Sequence, residues 1–260
     1  MTGLLANGYF LLLVRMYGAF LILGPVLLRV KFRFKAKLNP QFVPVESLPP
    51  DVQAFMAPRV KRIAGLGFEP VGYVNLGNMA TGIGSFMALF SNPRTLEWAD
   101  VSVVKSATRM AGYIEFITRC SNDAQVDTNT NSTASVLFPF PSHHVFRFPQ
   151  VMDAFTLYRA HRMLVQENTG GSQPQLPPPG QELAELKRRL ERYGPRQQEC
   201  GYMYLDGSGE YFHLTWKGAI LGAWRSVWPV SLARRWWMRT RGENQLRAMG
   251  VAQYRPSQLG

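Results

Sequence analysis

The chain has 260 residues, a formal net charge of +12 and two cysteines, Cys120 and Cys200. Two cysteines with no metal-ligand spacing exclude a disulfide framework and a cysteine-based metal site. The basic balance calls for an acidic partner, anionic lipid first and nucleic acid second.

From Tyr9 to Leu28 the sequence is apolar apart from Arg15, and it runs into Arg29-Val-Lys31-Phe-Arg33-Phe-Lys35-Ala-Lys37. About 20 apolar residues suffice to cross a bilayer as a helix. No Lys or Arg precedes the run, unlike a cleaved signal. The pattern therefore predicts a single-pass anchor over residues 1–37 in the cell membrane, with the bulk of the chain cytoplasmic by the positive-inside rule. Arg15 is expected to face a counter-charge on a membrane-protein partner, and Arg29, Lys31 and Arg33 to meet anionic headgroups. An interfacial helix starting near Met16 is the alternative, since Met16 to Leu28 alone is too short to span.

Pro40, Pro44, Pro49 and Pro50 make residues 38–50 a linker. Residues 51–167 read as an α+β domain. Val52, Phe55, Met56, Val60 and Ile63 form one helical face. Strands follow over residues 68–76, 85–91, 101–106 and 112–119, rich in Val, Tyr, Phe and Ile. A hairpin then leads into the very polar arm at 125–130, expected to be a solvated edge. Asp153 is placed to cap a helix over 155–166. The expected fold is an antiparallel sheet of about five strands with helices packed on it.

Residues 168–180, with Gly170-Gly171 and Pro177-Pro178-Pro179, read as a flexible tether. The remainder, 181–260, is expected to be a helical lobe. Its first helix carries Leu183, Leu186 and Leu190, and Asp206-Gly207 marks a small hairpin between 202 and 214. Residues 216–241 hold six basic side chains, no acid and five of the six tryptophans. Trp224, Trp228, Arg234, Arg235, Trp236 and Trp237 are expected to contact the membrane surface or a partner, because tryptophan and arginine favour the headgroup region. The competing reading makes these tryptophans core.

No residue is assigned a catalytic role, and neither a metal nor a cofactor is expected. Gly77, Gly82 and Gly84 do not form a phosphate loop, and no paired-histidine zinc motif occurs. His143, His144, His161 and His213 read as structural. The expected function is a membrane-anchored binding or accessory subunit of a larger membrane complex. One rival is a hydrolase at the membrane surface using Glu115, Asp127 or His161, and the other is a nucleic-acid binder using the Trp and Arg segment.

Overall fold

Period-two alternation gives the central strands two different faces, and those faces organise the molecule. The computed structural model describes residue 18 and residues 21–80, 82–122, 124–132, 143–226 and 229–251. In chain order these form helix α1 (21–31), strands β1 (Arg33–Lys35) and β2 (Gln41–Val43), and helix α2 (Pro50–Ala64). The long antiparallel run follows as β3 (Glu69–Ala80), β4 (Ile83–Asn92), β5 (Glu97–Lys105), β6 (Met110–Arg119) and β7 (Gln125–Asn129). Then come β8 (His143–Arg147), α3 (Ala154–Asn168), α4 (Glu182–Glu191), α5 (Tyr193–Glu199), β9 (Met203–Leu205), β10 (Tyr211–Leu214), α6 (Trp216–Ser226) and α7 (Val230–Ala248).

One sheet of ten strands takes all of them, in the order β8-β7-β6-β5-β4-β3-β1-β10-β9, with β2 also on β3. Every pairing is antiparallel except β7 with β8, which is parallel. The expected five-strand antiparallel sheet is thus corrected to a mixed sheet of ten. Short strands such as β1 and β2 carry too few residues for an alternation signal, and a parallel neighbour after a long connection leaves no turn signature.

Among the described residues no helix is long and apolar enough to cross a membrane, which corrects the expected single-pass transmembrane anchor. The basic stretch at 29–37 ends helix α1 with Arg29 and Lys31 and continues as strand β1, paired with β10 and touching β3 at Phe34 and Ala80. Alternating Arg33, Phe34 and Lys35 buries Phe34 and exposes the two cations, a pattern that serves a half-buried strand as well as it serves a juxtamembrane segment. Arg15 and most of the run from Tyr9 lie outside the described residues.

One sheet face is apolar. Ala88, Phe90, Ala99, Val101, Ile114, Phe116 and Val126 pack there beneath Val52, Met56 and Ile63 of α2 and Leu157, Ala160 and Leu164 of α3. Burial of these side chains, each worth about 1.5–3 kcal/mol for the larger ones, dominates the folding energy. Within this face lies a closed polar network. Glu97 accepts from Tyr158 Oη at 2.7 Å, Arg162 Nη1 at 2.7 Å and Thr118 Oγ1 at 3.2 Å. His161 is bonded by Thr118 Oγ1 at 2.9 Å and Thr128 Oγ1 at 3.0 Å. On the opposite face, Leu186 of α4, flanked by Leu183 and Leu190, covers Val74, Leu76, Met87, Leu89, Trp98 and Ile117. That apolar cover stops halfway across the sheet, and the rest of the face is polar.

Burial holds His161 neutral, pushing its pKa down to about 4 against the opposing pull of Glu97 and Asp127. An unfolded histidine titrates near 6.5, so between about pH 4 and 6.5 the unfolded chain binds the extra proton. Stability from this group is complete above that window and is lost on acidification through it, by about 3 kcal/mol in total. His161→Leu should therefore flatten the acid limb of a urea-stability profile relative to wild type. Parallel profiles for the two proteins between pH 6.5 and 4 would contradict a neutral buried His161.

Candidate functional site

The polar half of the sheet is written in the register. Asp100 stands opposite Glu115, Glu115 opposite Asn129, and Asn129 opposite Arg147. One row away Asp127 faces Val145, and beyond it Gln125 faces His143. Partners in register share a face, so strands β5 to β8 aim three carboxyls, a histidine and an arginine the same way. Helices α4 to α7 close over them, leaving a cavity of about 590 Å³. That size is ordinary for a small-molecule site.

The carboxyls are held in different states. Asp127 Oδ2 meets His143 Nε2 at 2.5 Å, and Gln125 Nε2 donates to Asp127 Oδ1 at 2.8 Å. Burial works against ionising Asp127, but His143, Arg189 and the Gln125 amide outweigh it and hold the carboxyl below its ordinary range. At Glu115 the pull of Arg189 is outweighed. Glu115 Oε1 accepts from Asn129 Nδ2 at 2.7 Å, yet burial and then the charges of Asp127 and Asp100 push the Glu115 pKa well up. Those influences favour the protonated form of Glu115. Asp100, bonded by Ser102 Oγ at 2.6 Å, is raised to about 6 by burial, against Arg189. Neighbouring carboxyls with pKa values driven apart are the arrangement that acid–base sites use.

Arginines define the other end of the cavity. Arg147 comes from β8, Arg225 from the last turn of α6, and Arg234 and Arg241 from α7. Arg234 Nη1 is buried without a hydrogen-bond partner among the described residues. Burial first, and then the charges of Arg225 and Arg147, lower the pKa of Arg234; burial leads the same shift at Arg225. Among the described residues Glu115 and Asp127 are the acids lining the cavity, the first raised in pKa and the second bonded to His143. Helix α6 can reach the sheet because its inner face is Gly218, Ala219, Gly222 and Ala223. A Cβ on Gly218 would stand 2.1 Å from the carbonyl oxygen of Tyr202. Apolar walls come from Phe34, Met79 and Met87 on the sheet and Trp237 and Met238 on α7.

Of the residues singled out in the sequence, Arg234 and Trp237 line this cavity. Trp224, Arg235 and Trp236 are exposed on the outer faces of α6 and α7. Arg29 lies over the Trp216 ring at 4.6 Å, while Lys31 and Arg33 face outward. Arg15 and Trp228 fall outside the described residues. Glu115 and Asp127 do converge in one concave site, whereas His161 is on the opposite face of the sheet. Sequence reasoning missed His143, Arg147, Arg189 and Arg225. The signal present was the alternation Gln125, Asp127, Asn129, which was read as a solvated edge. Strand β7 instead lies between β6 and β8 with its polar side chains turned into the cavity. Among the described residues no group of three His, Cys, Asp or Glu side chains is arranged to hold a metal ion.

A carboxyl whose folded pKa exceeds its unfolded one keeps its proton in the native state, so its contribution weakens as pH rises above the unfolded value. Glu115→Gln preserves the oxygen that Asn129 bonds and removes that loss. It should be more stable than wild type in urea at pH 8 and no more stable at pH 4. Equal destabilisation at both pH values would contradict a protonated Glu115.

No family model, no curated protein and no solved structure matches this chain.

Proposed function

We propose that this chain binds an anionic amphiphile, a molecule with a phosphate or carboxylate head and an apolar body. The observation that carries the reading is the buried, unbonded Nη1 of Arg234 among Arg147, Arg225 and Arg241 at an apolar-walled cavity. A guanidinium nitrogen buried without a hydrogen-bond partner is costly unless an anion completes it. Guanidinium suits such heads because its planar fork matches their oxygens. The sheet walls Phe34, Met79 and Met87 offer the surface on which an apolar tail loses contact with water. Dodecyl phosphate is a suitable probe. Calorimetry should detect saturable binding to wild type, and Arg234→Gln should weaken it about tenfold or more, the value of one charge-assisted hydrogen bond. Dodecanol should bind far more weakly. Equal affinity for the alcohol and the phosphate, or an unchanged affinity in the variant, would refute the reading.

A second reading, an acid–base hydrolase, is favoured by the Asp127–His143 pair beside Glu115, whose proton burial and neighbouring acids favour. In that role His143, held by Asp127, takes a proton from water, the hydroxyl adds to an ester of the bound amphiphile, and Glu115 protonates the departing oxygen. Water and ester become acid and alcohol. With 4-nitrophenyl dodecyl phosphate as probe, Asp127→Asn should abolish nitrophenol release while leaving dodecyl phosphate affinity within about threefold. Absence of release from wild type would leave binding as the function.

A further inference from the structure

Beyond the cavity, the molecule exposes a broad apolar and aromatic face. Helix α1 turns Ile22, Leu23, Val26, Leu27 and Val30 to the outside, and Ile22 is 72% exposed. Those positions make one stripe at helical spacing. On α6, Trp216, Ile220 and Trp224 form a second stripe, each about half exposed, and Trp236 on α7 is 69% exposed. Isolated exposed apolar residues are ordinary, but contiguous patches mark interaction surfaces. The stripes adjoin, since the Arg29 guanidinium of α1 sits 4.6 Å from the centre of the Trp216 ring of α6. The tryptophans are not core, and small residues have taken the inner side of α6 in their place.

The same face is basic. Lys31, Lys217 and Arg235 are exposed on these helices, residues 216–241 contain no acid, and Arg239 is paired with Glu243 at 2.9 Å. Exposed tryptophan flanked by lysine and arginine is the composition of a helix lying in a lipid headgroup layer. A protein groove would instead call for a concave, acid-bearing complement to an irregular convex surface. The cavity adjoins the apolar cluster beneath this face. Phe34 and Met79 line the cavity, and the cluster around Phe34 also takes Met79, Leu28 of α1 and Phe32 just after it.

We infer that the α1, α6 and α7 face docks on an anionic lipid surface, lying in its headgroup layer without crossing it, and that the ligand is drawn from that layer through the Phe34 and Met79 side of the cavity. This rests on the amphiphile-binding reading, which supplies the ligand, but the docking is measured separately. The full chain is sedimented with phosphatidylcholine vesicles and with vesicles containing phosphatidylglycerol. Wild type should partition onto the anionic vesicles about tenfold more strongly than onto neutral ones, and less so as salt rises. The variant Trp216→Ala/Trp224→Ala/Trp236→Ala removes no cavity-lining side chain. It should bind vesicles about tenfold more weakly while retaining dodecyl phosphate affinity and its circular dichroism. Arg234→Gln should do the reverse, keeping vesicle binding and losing dodecyl phosphate. Tryptophan quenching by brominated lipid should accompany docking by wild type. The inference is overturned if wild type ignores anionic vesicles, if neutral vesicles bind it equally, or if the triple variant sediments unchanged. Loss of dodecyl phosphate binding in the triple variant also overturns it, because the tryptophans would then shape the cavity. Failure of dodecyl phosphate binding with vesicle docking intact would instead remove the amphiphile reading.

Discussion

Arg189 stands where one guanidinium must offset the carboxyls gathered on the polar half of the sheet. Its Nη2 lies 3.8 Å from Asp100 Oδ2, and its side chain is only 17% exposed. Burial opposes its charge, but Asp127, Asp100 and Glu115 together raise its pKa. Desolvating a charge costs several kcal/mol, and stripping one partner from such a group costs about 3–5 kcal/mol. The helix that delivers the guanidinium is itself secured by apolar contact. On α4, Leu186 and Leu190 bracket Arg189 on one face, so the residues that seat the helix also set where its charge falls. Glu185 adds ion pairs with Arg119 of β6 and with Arg188 of α4. The segment before α4 runs along β6, with Gln175 N donating to Arg119 O at 2.8 Å and Pro174 bridging Cys120.

From that constraint follows the polarity of the cavity. Arg189 and His143 are committed to the floor, where the pKa of Asp127 is pulled down and that of Glu115 is pushed up. At the far end, burial first and then the charges of neighbouring arginines lower the pKa values of Arg225 and Arg234. A folded protein that keeps such cations close together holds an electrostatic potential suited to an anion. The floor and the cation end are thus two consequences of one sheet face that is apolar in β3 and β4 and at Trp98 and Ile117, and polar at Asp100, Glu115, Asp127 and Asn129.

Much of this architecture was legible in the residues. Val, Ile and Phe alternation marked β4 to β6, Asp153 accepts from Thr156 N at 2.8 Å as the cap of α3, and Asp206-Gly207 turns β9 into β10. The cavity was not legible, because its polar residues resemble a solvent face until something covers them. Gln125, Asp127 and Asn129 carry the same alternation whether water or α4 lies above. His143 next to His144 suggests two side chains pointing apart, which β8 confirms, but nothing local brings His143 to Asp127; that requires the parallel pairing of β7 with β8. Arg189 was hidden in a helix whose leucines gave the stripe and whose charges read as its wet side. The apolar N-terminal run suggested a span because length and apolarity alone do not say whether the following basic residues exit a bilayer or pair in a sheet.

The central claim is that the arginines of this cavity receive the head of an anionic amphiphile. A crystal structure of the chain with dodecyl phosphate tests it most directly. The account predicts the phosphate within hydrogen-bond distance of Arg234 and at least one of Arg147 and Arg225, with the alkyl chain along Phe34 and Met79. Phosphate density at any other site, with the cavity arginines unengaged, would contradict it.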